Sequence, residues 1–392
     1  MRSRLRDIAL NALLVVAATA VGLGALELLL RARPTLLGAA YANGVLSKYT
    51  DGEGGIYYKD RQAGTHFMIP NFTTRMYYNG YTWTHQTDAL GFRNQTLSIP
   101  ADIALLGDSS IYGHGLELES TVGVQLARLT GRSVANLARQ GDCAVQQAYL
   151  VTEFLPVFEP RYVFYFFSEN DISDVYAFLD DAAMRAFLDQ PMESIHYAHR
   201  LDPAQAMAER EERLRQRSLL TRLKQSSYVY RATRWMRWEL GQRKAMAAPP
   251  GRGADLSDAD LMDERSLGWR YTEKAIVYMR EIAQRQGARF VIVPITPMTP
   301  SYPEILRRFA AREHIDFVDT SRFTTAMAAL WLPGDGHPSP AGARQFAELA
   351  AAYVSAHPVP PRGAPAIAAD RAPASPSGAP DDRAHPVTST GR

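Results

Sequence analysis

The chain has 392 residues and a formal net charge of +2, and this length suits one large domain or two ordinary ones. So small a net charge gives no global electrostatic reason to expect binding to nucleic acid. The single cysteine, Cys143, excludes a disulfide within the chain and a metal site built from cysteines. The apolar fraction of 46% supports a substantial core.

An apolar run from Ile8 to Leu30 follows three arginines near the amino terminus. About 20 apolar residues span a bilayer as a helix. A cleaved signal peptide and a retained anchor both fit, but the run continues well past a possible cleavage site at Ala18-Thr19-Ala20, which favours an anchor. The arginines predict an N-in orientation. Residues 1–33 are therefore expected to be a single-pass anchor in a bacterial inner membrane, with the remaining chain facing the periplasm.

Residues 34–100 are rich in Gly, Tyr, Asn and Thr and lack a helical period. They are predicted to form a loop-rich lead-in with short strands near 65–69 and 76–84. Residues 101–357 then alternate short apolar strands with amphipathic helices. This alternation predicts an α/β fold, a three-layer α/β/α sandwich with a mostly parallel, flavodoxin-like sheet. The predicted strands of that sheet are 103–106, 133–137, 161–167, 289–295 and 315–318.

The alternation is interrupted by an insertion at about 172–264, and it ends before a tail at 358–392. The insertion contains a basic stretch, 208–244, with Leu, Tyr and Trp interspersed among arginines such as Arg210, Arg213 and Arg217. This composition is typical of a solvated helical lid or a membrane-facing surface. The tail is rich in Pro, Ala, Ser and Asp and is predicted to be disordered.

The first core strand, Ile103 to Leu106, stops at Gly107-Asp108-Ser109. A serine just past the carboxyl end of a parallel strand lies where open α/β sheets place their chemistry, although Gly-Asp-Ser can also be an ordinary turn. Serine acyl transfer also needs a base and an acid that orients it. His337 lies in a loop before the last helix, and Asp335 is near enough to hydrogen-bond its imidazole. By itself that loop can equally be an Asp-Gly turn.

Four short blocks together resemble the SGNH (GDSL) hydrolase family. The first and last are Gly107-Asp108-Ser109 with Gly113 and Asp335-Gly336-His337-Pro338; the two between them are Ala135 to Gly141 and Ser168-Glu169-Asn170-Asp171. The stretch from Thr87 to Arg93, TDALGFR, is similar to a segment that precedes the serine block in membrane-anchored members. The resemblance covers roughly residues 87 to 171 and 265 to 355. Each block is weak alone, but four in family order at strand ends are specific.

The resemblance implies Ser109 as nucleophile, His337 as base and Asp335 as the residue that orients the base. It also implies an oxyanion hole formed by the backbone N–H groups of Ser109 and Gly141 and by the side-chain amide of Asn170.

The chain departs from the family pattern at two points. Ser168 stands where the family often has glycine. One residue rather than two separates Asp335 from His337, a spacing that resembles SGNH-type acetyltransferases of bacterial polysaccharides and keeps Asp319 open as an alternative orienting acid.

Three functions remain compatible with these residues. The first is a serine ester hydrolase acting on an acyl or acetyl group of a cell-envelope glycan or lipid. The second is an O-acyltransferase in which a sugar hydroxyl replaces water, and the third is an anchored binding protein with a dead site. Pocket shape and water exclusion choose between the first two. No cofactor or metal is expected, since Gly52-Glu53-Gly54-Gly55 lacks the Lys-Ser/Thr of a phosphate-binding loop. The sequence does not reveal the oligomeric state.

Overall fold

The computed structural model describes residues 2–60, 65–168, 170–195, 197, 202–246, 263–295, 302–320 and 328–359. Most of the predicted disordered tail, residues 360–392, lies outside the described residues. So do residues 247–262 at the end of the insertion and Glu169 in the third family block.

Five strands form one parallel sheet, and the other four form two antiparallel pairs. The strands are β1 (Tyr57–Asp60), β2 (Thr65–Met68), β3 (Thr73–Tyr78), β4 (Tyr81–Gln86), β5 (Ile103–Leu106), β6 (Val134–Asn136), β7 (Tyr162–Phe167), β8 (Arg289–Pro294) and β9 (Asp316–Phe317). The parallel sheet has the order β6-β5-β7-β8-β9. This is the flavodoxin order, with its switch point between β5 and its two neighbours. The predicted flavodoxin-like sheet is confirmed.

Thirteen α-helices are present among the described residues. They are α1 (Arg2–Ala32), α2 (Ala39–Leu46), α3 (Ser109–Tyr112), α4 (Val122–Thr130), α5 (Ala144–Phe158), α6 (Asn170–Phe178), α7 (Asp181–Asp189), α8 (Pro203–Arg215), α9 (Leu219–Ser226), α10 (Tyr228–Met246), α11 (Leu267–Arg285), α12 (Tyr302–Arg312) and α13 (Pro340–Ala356).

The sheet is covered on both faces, because every side chain of β5 and β7 is buried and such strands require a layer on each side. From β5 the chain passes through α4 to β6 at one edge, and then returns through α5 to β7. Right-handed crossovers in opposite directions put α4 and α5 on opposite faces. Helix α4 packs against α13, and α5 packs against α11. The predicted three-layer α/β/α architecture is therefore present.

The lead-in differs from the sequence prediction in two places. The predicted strand at 76–84 is a hairpin, β3 paired with β4, that turns at Asn79 and Gly80. Both residues have positive φ, +46° and +89°, which Asn-Gly adopts readily and which matches the twist of the flanking strands. Helix α2 was not predicted. Tyr41 and Val45 pack with Ala232 of α10, so a tertiary contact rather than a long periodic pattern stabilises it.

The amino-terminal helix includes a segment, Arg6–Ala32, that is long and apolar enough to span a membrane. Its apolar side chains are exposed, and Leu30 alone among its described residues is buried. In the insertion, Arg210 of α8 is also buried and donates to the main-chain carbonyls of Asp51 and Gly52. A membrane-facing role for Arg210 is therefore wrong, since its guanidinium fastens α8 to the lead-in.

Candidate active site

Ser109 is separated from the end of strand β5 by Gly107 and Asp108, and it is the first residue of the short helix α3. Asp108 precedes it and accepts a hydrogen bond from Ser110 N at 2.9 Å, which caps the helix. Gly107 has φ +153°, and a Cβ at this position would meet Ile111 Cγ1 at 2.8 Å. The turn after β5 therefore requires glycine before Asp108, and its geometry presents the Ser109 side chain at the carboxyl edge of the sheet.

His337 and Asp335 lie together with Ser109, although 228 residues separate the serine and the histidine. His337 Nε2 is 2.8 Å from Ser109 Oγ, and His337 Nδ1 is hydrogen-bonded to Asp335 Oδ1. An ionised carboxylate only accepts, so Nδ1 carries the proton and Nε2 is left to accept from the serine hydroxyl. This is the tautomer that a general base needs.

The carboxylate of Asp335 is fully buried, while 21% of the His337 side chain is exposed. Burial alone would raise the pKa of Asp335, but the hydrogen bond and charge of His337, together with a hydrogen bond from Asn79, outweigh it and lower that pKa. Asp335 is thus held as an anion next to the imidazole, where it stabilises the positive charge that His337 acquires when it takes a proton.

Asn79 is a member of this site that the sequence analysis did not identify. Its Nδ2 donates to Asp335 Oδ2 at 2.8 Å across 256 residues of sequence. Asn43 of α2 fixes Asn79 in turn, because Asn43 Nδ2 donates to Asn79 Oδ1 at 2.6 Å and Asn79 N donates to Asn43 Oδ1 at 2.8 Å. The available signal was the Asn-Gly pair between alternating apolar residues, which predicts the hairpin but not its partner.

His337 has a second neighbour, His114. The sequence places His114 in the serine loop without assigning it a role. Its ring stacks on that of His337 with centroids 4.0 Å apart and planes 15° from parallel. Burial, and next the charge of His337, lowers the pKa of His114 to about 4. His114 is therefore neutral at pH 7 and covers one face of His337 without competing for its proton.

His114, Asp335 and His337 are also the residue types that bind metals, and their ligand atoms lie within 4.8 Å of one another. Both nitrogens of His337 are already engaged, one by Asp335 and the other by Ser109. A metal held by His337 would have to displace Asp335 or Ser109 from the imidazole. The third residue of the cluster, His114, lies with its Nδ1 3.1 Å from Gln140 Oε1.

The two other predicted oxyanion donors follow the strands on either side of β5. Gly141 lies in the loop after β6 with φ +73° and open space where a Cβ would be, so backbone conformation rather than crowding favours glycine there. Asn170 begins α6 after β7, and its Nδ2 donates to Asp174 Oδ2 at 2.9 Å. An amide carries two N–H groups, so this bond orients the Asn170 amide and leaves it one further N–H.

Arg93 of the lead-in also supports the loop that contains Ser109. This buried guanidinium donates to the carbonyls of Tyr112 at 3.1 Å, Gly113 at 2.7 Å and Leu116 at 2.5 Å, and to Thr84 of β4 at 2.9 Å. A single rigid cation therefore joins the end of α3 to the hairpin that carries Asn79. Arg93 ends the TDALGFR stretch, whose resemblance to a family segment did not itself indicate this contact.

Removing the Asn79 side chain should impair the base without dismantling the turn. We expect Asn79→Gly, which still permits a positive φ, to lower kcat/KM about tenfold, the equivalent of one hydrogen bond to a charged group. The acid limb of the pH–rate profile should move to higher pH, because a carboxylate with one donor fewer attracts the imidazolium proton more strongly. If Asn79→Gly is slower but its pH–rate profile is unshifted, Asn79 does not act on His337 through Asp335.

The buried carboxyl group of Asp171, which follows β7, is expected to make the free energy of unfolding depend on pH. Asp171 accepts from Ser168 N and from Tyr165 OH, each at 3.1 Å, and burial, followed by the charge of Asp108, raises the pKa of Asp171 well above its usual value. The folded state thus binds this proton more tightly than the unfolded chain does. Its contribution to stability is present at low pH and is lost as pH rises from about 4 toward the folded pKa.

We expect Asp171→Asn to remove that pH dependence. Relative to the wild type, the variant should gain free energy of unfolding between pH 5 and pH 8 in urea denaturation. Asp189→Asn, which changes an exposed carboxyl on α7, is the matched control and should follow the wild type. Parallel stability curves for the wild type and Asp171→Asn would show that Asp171 is ionised in the folded protein.

Comparison with known proteins gives similarity at the level of solved structures. No protein-family model and no curated protein matches the chain. The crystal structure of TesA is similar with a TM-score of 0.35 and 13% identity, over 65% of this chain and 98% of that one. A carbohydrate esterase family 2 enzyme with a carbohydrate-binding domain, from Corynascus thermopiles, gives 0.34 and 14% over 71% of each chain. A GDSL-like lipase from Bacteroides thetaiotaomicron gives 0.31 and 10% over 65% and 87%.

The chain is thus similar to solved SGNH and GDSL hydrolases, the group that its sequence blocks also resemble. At such low TM-scores and identities these likenesses do not extend to chemistry.

Proposed function

We propose that the chain is a serine ester hydrolase of the SGNH (GDSL) type. The observation that carries the proposal is the continuous hydrogen-bonded chain from Ser109 Oγ through His337 to Asp335. Its members come from two distant segments that meet at the carboxyl edge of one sheet, where α/β folds bind ligands. Asn79, which donates to Asp335, and His114, which stacks on His337, support the orientation of the base.

In the proposed reaction, Ser109 Oγ attacks the ester carbonyl carbon while His337 Nε2 takes the hydroxyl proton. The carbonyl oxygen becomes an oxyanion, which accepts from the backbone N–H groups of Ser109 and Gly141 and from the Asn170 amide. The C–O bond to the alcohol breaks, His337 returns the proton to the departing alkoxide, and an acyl-serine remains. Water, deprotonated by His337, then releases the acid and regenerates Ser109.

The one-residue spacing between Asp335 and His337 favours O-acetyl transfer as a second candidate. The same acyl-serine would then react with a sugar hydroxyl in place of water.

In either case the proposed substrate is an acyl or acetyl ester of a cell-envelope glycan or lipid. Helix α1 is proposed to anchor the chain in a bacterial inner membrane, with the α/β body in the periplasm.

The decisive experiment measures acyl release by the full-length protein from p-nitrophenyl esters of graded chain length and from acetylated glycans, with Ser109→Ala as the control. Release that depends on Ser109 supports the hydrolase. Transfer of the acyl group to an added glycan, in preference to water, supports the transferase. Binding of an acetylated glycan with no release or transfer in any assay would favour the dead-site alternative.

Asn170 provides a separate test of the proposed oxyanion hole. We expect Asn170→Ala to lower kcat by about a hundredfold or more with little change in KM, because an oxyanion donor acts mainly in the transition state. Asp174→Asn is the informative companion, since it alters the partner that orients the Asn170 amide and should cause a smaller loss. A change confined to KM would show that Asn170 binds the substrate instead.

A further inference from the structure

The carboxyl-terminal end of α1 is attached to the basic insertion at the junction of α9 and α10. Glu27 accepts from Ser227 Oγ, Tyr228 N and Val229 N, each at 2.9 Å, and thereby caps the first turn of α10. Arg31 donates to Ser226 O, the last residue of α9, at 2.9 Å. Glu27 is five residues before the end of α1, which is about 8 Å along the helix axis.

The short distance from Glu27 to the end of α1 determines the depth of α9 in a membrane that α1 spans. The apolar segment of α1 ends at Ala32, so contacts made by Glu27 and Arg31 lie within the last two turns of the spanning helix. Helices that lie on a bilayer bury their apolar face about 5–10 Å into the boundary between headgroups and acyl chains. The carboxyl-terminal end of α9 is therefore held at the depth of that boundary.

Helix α9 has the side chains that such a position requires. Leu219, Leu220 and Leu223 are 73%, 60% and 57% exposed, and their spacing places them on one face of the helix. Residues 217–226 include Arg217, Arg222 and Lys224 and no acidic residue. Three exposed leucines among cations would be costly for a surface in water, but they suit the surface of an anionic bilayer.

A cavity beside α9 continues this surface. Its volume is about 650 Å³, and it is lined by Arg217, Lys224, Arg231 and Arg234 with Trp235 among the aromatic residues. Asp51 and Glu53 also line it, so its cations exceed its acids by two. Basic and aromatic side chains together are typical of the headgroup region of a membrane.

We propose that α9 is an interfacial helix, with its three leucines inserted into the bilayer that α1 spans and with the cations of α9 and the cavity contacting the phosphates of anionic phospholipids. The inference rests on the proposed membrane placement of α1 and is independent of the ester chemistry. It gives the body a second attachment to the membrane and fixes its orientation there, so that the active site stays at a constant height above the lipid.

The test uses the full-length protein in phosphatidylglycerol nanodiscs with single spin labels. Cysteines are introduced by Leu219→Cys, Leu220→Cys and Leu223→Cys, with Val157→Cys on α5 and Leu129→Cys on α4 as matched exposed controls. Cys143 is fully buried and serves as the unlabelled background. The measured quantity is the collision rate of each spin label with oxygen, which partitions into lipid, divided by its collision rate with a nickel chelate, which stays in water. We expect this ratio to be severalfold higher at the three leucine positions than at both controls. In phosphatidylcholine nanodiscs, which have no net negative charge, the ratio at the leucine positions should be lower.

Equal, water-like ratios at all five positions would overturn the proposal. Labels at 219, 220 and 223 that are immobile and shielded from both relaxing agents would indicate a second protein copy on this face and would also overturn it. A label at Leu14→Cys tests the placement of α1 separately. Hydrocarbon depth at that position with water-like values on α9 would reject the interfacial helix while leaving the anchor intact.

Discussion

Ser109→Ala and His337→Ala are each expected to lower kcat by about 10⁴-fold or more on any ester that the wild type hydrolyses. The double variant should be little worse than either single one, because a nucleophile without its base and a base without its nucleophile are equally ineffective. The 2.8 Å contact between Ser109 Oγ and His337 Nε2 makes the two a unit. Steady-state rates for the three variants provide the measurement.

Ser110→Ala is the matched control for this prediction. Ser110 is buried next to the nucleophile. Its backbone N–H, which the substitution retains, donates to the capping carboxylate of Asp108. It should keep most of the activity and should still react with a fluorophosphonate probe, whereas Ser109→Ala should not. Labelling at another serine in the wild type, or full activity in Ser109→Ala, would contradict the assignment.

The central sheet was predictable because each of its strands has a local signature. Ile103 to Leu106 and Tyr162 to Phe167 are uninterrupted apolar runs, and both are buried on the two faces of the sheet. Parallel strands bring their carboxyl ends to one edge. This rule, applied to the loops after β5 and before α13, was enough to expect Ser109 and His337 near each other.

The supporting residues were not predictable because they depend on contacts between segments that are far apart in sequence. Asn79 shows no local sign of a partner, and its bond to Asp335 depends on how the β3–β4 hairpin packs against the last loop. Arg93 likewise has a role only once the ends of α3 and β4 are adjacent. The lead-in therefore positions the site, although its sequence indicated a collection of loops.

The second large expected effect concerns Asp335. We expect Asp335→Asn to lower kcat by about 10⁴-fold while the protein stays folded. Asn79 Nδ2 donates to Oδ2 of this side chain, so an amide placed there would keep its oxygen toward Asn79 and turn its NH₂ toward His337. Nδ1 would then have to accept, the imidazole proton would move to Nε2, and the base could no longer accept from Ser109.

Two further variants separate this mechanism from its alternatives. Asp319→Asn, at an exposed position after β9, should retain nearly the wild-type rate, and the reverse ranking would assign the orienting role to Asp319. Adding Asn79→Gly to Asp335→Asn should restore part of the lost rate, because the amide is then free to turn its oxygen toward Nδ1 and recover the productive tautomer. A double variant slower than Asp335→Asn would show that Asn79 supports the loop without selecting the tautomer.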